Sequence, residues 1–268
     1  MDIFQATILG IVQAITEFLP ISSSAHLQIV PQILGWNNIP ESYDIALHFG
    51  TLLAIGIFFF RDWILLIKSG FNNLIGKKTR EGKLFWYIVI ATLPGGMIGF
   101  ILDSKFENLR EIPLVIAGAL IVMGIILYLA DTYSKSDTNY ENLTLKQTFI
   151  IGLSQALAFI PGVSRSGATT TTGRLLGIDR ESAARFSFML AAPIILGATV
   201  FKLKDFSVGI EQNGALAFFI GVIVSFVLGM LVIKFLLNYL KKGSLKIFAI
   251  YRLIIGILII IWIMAGAS

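Results

Sequence analysis

The sequence predicts an all-α polytopic membrane protein. Six transmembrane helices and two re-entrant helix-loop-helix hairpins form an inverted-topology repeat, in one membrane domain over residues 1–268. Three observations carry this reading. The mean hydropathy is +0.83, with 56% hydrophobic and only 14% charged residues, against about 25% charged in soluble domains. Six apolar segments approach the length of about 20 residues that crosses a bilayer. Finally, LGIVQAITEFLPISSSA (9–25) and IGLSQALAFIPGVSRSGA (151–168) read almost alike: Gly10, Gln13, Ser22 and Ser24 recur 142 positions later as Gly152, Gln155, Ser164 and Ser166. An internal duplication that interrupts apolar segments with Pro and Ser marks a site at the middle of a membrane.

In chain order, residues 3–34 are apolar but broken by Pro20 and a serine cluster, so they are read as the first hairpin. Spans follow at about 45–60, 85–102 and 112–130, the first of them short and extended into its flanks. Residues 147–172 form the second hairpin, broken by Pro161 and Ser164, and spans follow at 184–201, 215–238 and 247–264. Irregular backbone at membrane depth requires protein burial or a wet cavity. The halves are 1–134 and 135–268. Three crossings per half turn the second half over, so the two hairpins enter from opposite faces and their tips meet near the midplane. No Lys or Arg precedes Arg61, so residues 3–35 are not read as a cleavable signal. Cysteine is absent, which excludes disulfides and thiolate chemistry.

Loop charges orient the chain. Arg61, Lys68, Lys77, Lys78, Arg80, Lys83, Lys135, Lys146, Arg174, Arg180, Lys234, Lys241, Lys242 and Lys246 fall on one side; Lys105, Arg110, Lys202 and Lys204 fall on the other. Fourteen against four makes the first side cytoplasmic and puts both termini, with the mouth of the first hairpin, outside the cell membrane. The basic charge is scattered over short loops, which argues against a nucleic-acid partner. Gly95 with Gly99, and Gly221, Ser225 and Gly229, place small residues four apart for close helix packing. Trp36, Trp63, Trp86 and Trp262 sit near span ends as interfacial anchors.

Between Ile3 and Pro40 the ionisable side chains are Glu17 and His26. A charge in an embedded segment is costly enough to imply a partner or a task. The structural alternative is a Glu that caps the turn and a His that satisfies a carbonyl. Gln13 and Glu17, four apart, share a helix face. In the second hairpin Ser164, Arg165, Ser166, Gly167 and Thr169 to Thr172 gather hydroxyls, a guanidinium and Gly-flanked amides, a combination that suits phosphate. A helix beginning near Ser166 adds its N-terminal dipole; a polar N-cap with Arg165 reaching the surface is the alternative. Asp44 and His48 are either a pocket mouth or an interfacial charge pair. Asp179, Arg180, Glu181 and Arg185 read as a charged helix start, with Asp179 as N-cap.

At these two motifs the chain resembles the undecaprenyl pyrophosphate phosphatases of the bacitracin-resistance family. One family signature, Glu or Gln, three residues, Glu, then Pro-x-Ser-Ser and His, stands here as QAITEFLPISSSAH; the other, Pro-Gly-x-Ser-Arg-Ser-x-x-Thr, stands as PGVSRSGAT. The resemblance covers essentially the whole chain. It implies an enzyme, a phosphoric anhydride hydrolase that cleaves a polyprenyl diphosphate to the monophosphate and recycles the carrier of cell-wall glycans. Carried over, the family's acidic pair falls on Gln13 and Glu17, its serine on Ser23, its histidine on His26 and its phosphate-binding cluster on Ser164, Arg165, Ser166 and Thr169; with the repeated Ser22 and the Gly167 amide added from the motif itself, the expected catalytic residues are Glu17, Ser23, His26 and Arg165 and the expected substrate contacts Gln13, Ser22, Ser164, Ser166, Gly167 and Thr169. Gln13 stands where some members have a second carboxylate, so a metal site of two carboxylates is in question. A single divalent cation, Mg²⁺ or Ca²⁺, on Glu17 and substrate oxygens is the expectation. The implied partners are the diphosphate lipid and membrane lipids, and a homodimer is compatible with the chain. The rival class is a secondary transporter or flippase of an organic anion or lipid phosphate, since the inverted plan serves both.

Overall fold

The structure is a computed structural model. It describes the chain except residues 37–38, 111, 136–137, 203, 205–209, 211–214 and 267–268; for residues 41, 100, 102–108 and 110 only the main chain is described, so the side chains of Lys105 and Arg110 lie outside the described residues. Everything described is helical or connecting. The helices are α1 (Ile3–Phe18), α2 (Ser23–Ile33), α3 (Glu41–Phe58), α4 (Phe60–Leu74), α5 (Arg80–Arg110), α6 (Pro113–Tyr133), α7 (Leu145–Ser154), α8 (Arg165–Leu175), α9 (Arg180–Phe201), α10 (Ala215–Leu240) and α11 (Lys246–Met264).

The duplication runs deeper than the motif. Helix α1 starts with a capping box in which Asp2 accepts from the Gln5 amide at 2.7 Å while the Gln5 side chain accepts from the Asp2 amide at 3.1 Å. Helix α7 starts with the same device, built from Thr144 and Gln147, 142 positions on. Each helix then fails before its proline. Helix α1 stops at Phe18, whereas α7 stops at Ser154 and tightens into a 3₁₀ segment, Gln155–Phe159. After each break the chain re-enters a helix through a serine at positive φ, Ser22 (80°) and Ser164 (72°). Such a backbone costs a non-glycine residue about 1–2 kcal/mol, and both serines offset it by capping the new helix, accepting from Ala25 N and Gly167 N.

Five described helices are long and apolar enough to cross a membrane, and a sixth crossing arises if α3 and α4 count as one span. Spans 85–102, 112–130, 184–201, 215–238 and 247–264 correspond to α5, α6, α9, α10 and α11. The first predicted span corresponds to α3, which extends it at the N-terminal flank and ends at Phe58; there the chain bends by 75° into α4, which no apolar pattern announced. The bend is pinned from α9, where Arg185 donates to Asp62 at 2.6 Å and lies 5.3 Å from the ring centres of Phe59 and Tyr140.

Packing is reciprocal between the halves. Helix α1 lies on α10 and α7 lies on α5, while α6 pairs with α11 and α3 with α9. The duplicated glycines allow this: a Cβ on Gly152 would sit 2.2 Å from Ala91 O of α5, and one on Gly10 would sit 3.0 Å from Val224 of α10. The predicted small-residue stripes pack as expected. Gly95 and Gly99 receive Gln155 and Phe159, and Gly221 and Gly229 receive Tyr43 and Phe18. Asp179 caps α9 through Ser182 N at 2.9 Å. Arg180 is structural as well: its Nε donates at 2.6 Å to fully buried Asp131, which also accepts from Ser244 Oγ (2.6 Å) and Leu245 N (3.0 Å) and faces Arg174.

Candidate active site

The break at the end of α1 leaves Glu17 facing the start of α2 and the tip of the second hairpin. Its side chain is 5% exposed. A carboxylate so buried needs donors on both oxygens, and it has them. Ser23 Oγ, on the first residue of α2, donates to Oε2 at 2.7 Å, and Gln13 Nε2, one turn back on α1, donates to the same oxygen at 3.2 Å. The Arg165 guanidinium contacts Oε1 and also donates to Ala191 O of α9 at 3.4 Å. Residues 148 positions apart thus form one charge-assisted pair.

The tips meet at the main chain too. Ser166 Oγ donates to Leu19 O at 3.2 Å, and Ser22 with Ser24 and Ser164 with Ser166 form matching hydroxyl pairs at 3.2 and 3.1 Å. Ser22 and Ser164 therefore hold the turns, with Gly167 N as the amide that Ser164 caps at 3.0 Å. The Thr169 hydroxyl is engaged within the fold: its Oγ1 donates to Arg165 O at 2.8 Å and pairs with Ser187 Oγ of α9 at 2.6 Å.

The two histidines stand differently to Glu17. His26 makes its hydrogen bonds away from Glu17, with Nδ1 2.7 Å from Ser22 O and Nε2 2.8 Å from the Tyr251 hydroxyl, on which its ring is stacked. A carbonyl only accepts, so Nδ1 carries a hydrogen, and in the neutral ring Nε2 is then the acceptor of the tyrosine hydrogen. His48, open in the sequence between pocket mouth and interface, stands with Nε2 3.5 Å from Glu17 Oε2, its ring fixed by Nδ1 on Asp44 O at 2.8 Å. Its spacing from Asp44 signals only a shared helix face; its partner comes from another helix.

Arg252 escaped the sequence reading altogether. It is fully buried in α11 and donates to Pro20 O at 3.1 Å, Gly162 O and Val163 O at 2.9 Å and Leu120 O at 3.4 Å. The available signal was its charge inside the apolar segment 247–264, the same argument that singled out Glu17.

Among the described residues no group of three or more His, Cys, Asp or Glu side chains could hold a metal ion. The hard oxygens at the site are the Glu17 carboxylate and Gln13 Oε1, which is buried without a hydrogen-bond partner. An oxygen-ligated cation that completes its shell from phosphate and water fits that donor set. Chemically, the arrangement pairs a hydroxyl with a carboxylate base and sets a guanidinium beside them whose fork matches phosphate oxygens.

Comparison with known proteins finds relatives over nearly the whole chain. The family described as "Bacitracin resistance protein BacA" matches residues 6–258. The undecaprenyl-diphosphatase of Pelotomaculum thermopropionicum is 48% identical over 261 residues, covering 97% of both chains. Those of Moorella thermoacetica and Geotalea daltonii are 45% and 44% identical, covering 97% of both chains and 99% and 100% of the two chains respectively. The matched region contains Gln13, Glu17, Ser23, His26, Arg165 and Arg252, and the chain belongs to the bacitracin resistance protein BacA family.

Proposed function

We infer that this chain is a membrane-embedded undecaprenyl-diphosphate phosphatase: it hydrolyses the polyprenyl diphosphate to the monophosphate and inorganic phosphate, returns the lipid carrier to cell-wall glycan synthesis and confers bacitracin resistance. The observation that carries the reading is Ser23 Oγ–H on the buried Glu17 carboxylate at 2.7 Å, with Arg165 on the same carboxylate.

Phosphoryl transfer requires in-line attack and neutralisation of the equatorial oxygens. Arg165 moves its fork from Glu17 to the diphosphate, and the tip amides and hydroxyls of Ser22, Ser164 and Ser166 surround the head. Ser23 Oγ attacks the terminal phosphorus as its proton passes to Glu17. The bond to the bridging oxygen breaks and the polyprenyl monophosphate leaves. Water then cleaves the phosphoserine, releasing phosphate and restoring the hydroxyl. His26, one turn along α2 and held by Tyr251, is the second proton-transfer group, suited to that water step. Glu17 and Gln13 Oε1 would hold a divalent cation, which when bound neutralises phosphate charge. The prenyl tail lies in the lipid between spans.

The halves 1–134 and 135–268 are read as inverted repeats with re-entrant hairpins. The reciprocal packing supports this, as do α1 and α2, which at 16 and 11 residues reach only about 24 and 16 Å against a core of about 30 Å. The charge asymmetry supports a cell-membrane location with the termini and site mouth outside and, for a lipid-facing chain, a homodimer is the assembly to seek.

The reciprocal plan is also that of a transporter, so the deciding experiment is phosphate release. Purified protein is incubated with a polyprenyl diphosphate, with and without chelator. Release establishes the hydrolase, and its suppression by chelator establishes the cation. Movement of the lipid without release would overturn the reading in favour of transport.

A further inference from the structure

We propose that Arg252 is a positioning residue for this hydrolysis: its guanidinium ties the two hairpin tips in the register that sets Ser23 and Glu17 against Arg165. The proposal rests on the site reading above and adds a residue from outside both motifs.

Arg252 is the one Lys, Arg, Asp or Glu among residues 247–264, and it is completely buried. A charge at that depth is expensive. Its donors all reach neutral main-chain carbonyls. Pro20 O belongs to the first tip, and Gly162 O and Val163 O belong to the second. Pro20 and Gly162 are 142 positions apart, so one guanidinium takes the equivalent carbonyl from each copy of the duplication. Helix breaks leave carbonyls without intrahelical partners, and a planar fork can take two such groups in fixed orientation where a compact ammonium cannot. Nε, on Leu120 O of α6, holds the fork to the scaffold.

Two further contacts place the function of this clamp at the tips. A Cβ on Gly167 would lie 2.7 Å from Arg252 Nη1, so the glycine of the second motif leaves room for the guanidinium. The direct side-chain links between the tips are Glu17 with Arg165 and Ser166 with Leu19 O. When Arg165 turns to the phosphate the first is surrendered, and Arg252 holds the tips together through the chemical step.

The test uses full-length Arg252→Lys, Arg252→Ala and Gly167→Ala, each checked for helix content and monodispersity in detergent. Displacements of about 1 Å cost on the order of 100-fold in turnover, so kcat for a polyprenyl diphosphate falls by about that factor in Arg252→Lys while KM stays within about threefold. A residue that acts only by placing Ser23 loses its effect once Ser23 is gone, so Ser23→Ala with Arg252→Ala is no more than about threefold slower than Ser23→Ala alone. Wild-type kcat in Arg252→Lys, or losses that multiply in the double variant, overturns the proposal. If neither Arg252 variant folds, Gly167→Ala decides: it keeps the guanidinium but displaces it, and wild-type kcat there also overturns the clamp. Full activity of Ser23→Ala would instead overturn the nucleophile, a failure separate from that of Arg252→Lys.

Discussion

The two hairpin tips share a backbone and, on the proposed function, divide a reaction. Ser22 and Ser164 adopt the same positive φ, cap the same position of the following helix and pair with the serine two residues on. The side chains differ where chemistry is done: Glu17 corresponds to Phe159, Ser23 to Arg165 and His26 to Ala168. Phe159 packs against Gly99 as an apolar filler, while Glu17 collects four polar partners. Duplication supplies two matching turns that meet, and on the proposed function divergence at three positions makes one turn a base with a nucleophile and the other an anion fork. Neither copy alone contains both functions.

Removing the anion fork breaks this division most severely. Arg165→Ala is expected to lower kcat/KM by about 10³-fold or more, the scale of an arginine that stabilises transferring phosphoryl charge, while the protein still inserts and folds; near-normal turnover in detergent would remove Arg165 from phosphate binding. On the other tip, Glu17→Gln keeps the shape but withdraws the base, and a loss of about 10²–10⁴-fold is expected. Retention of phosphoserine formation at the normal rate in rapid-quench experiments would assign the serine proton elsewhere. His26→Ala sharpens the comparison further. A fall in kcat of about 10–100-fold at nearly constant KM marks a proton-transfer group, whereas a change confined to KM would make His26 a binding residue. Arg180→Ala is the control away from both tips. Turnover at low temperature is expected to stay within about twofold, with stability lowered by about 1.5–3 kcal/mol through the lost charged bond to Asp131, measured by thermal unfolding in detergent.

Much of this was visible in the sequence because hydrophobic length and the repeated Pro-Ser breaks report directly on how a chain meets a bilayer. The five spans after the first are recognisable from length alone. The bend at Phe59 is not, since it depends on Arg185 arriving from α9 to hold Asp62. At the site, Gln13, Glu17 and Arg165 were legible as charged or polar residues in apolar segments that repeat, and Ser23 through the family signature. His48 was not assigned, because its approach to Glu17 joins α3 to α1 and no local spacing encodes that. Arg252 was overlooked for a different reason: the duplication drew attention to the motifs, while this charge stands alone in the last span.

Glu17 on Arg165 also means that the resting site already contains an internal competitor. On the proposed function, an incoming head group must displace a carboxylate tethered beside the guanidinium, which weights the site toward a terminal phosphate of high charge over a phosphodiester with a single charge.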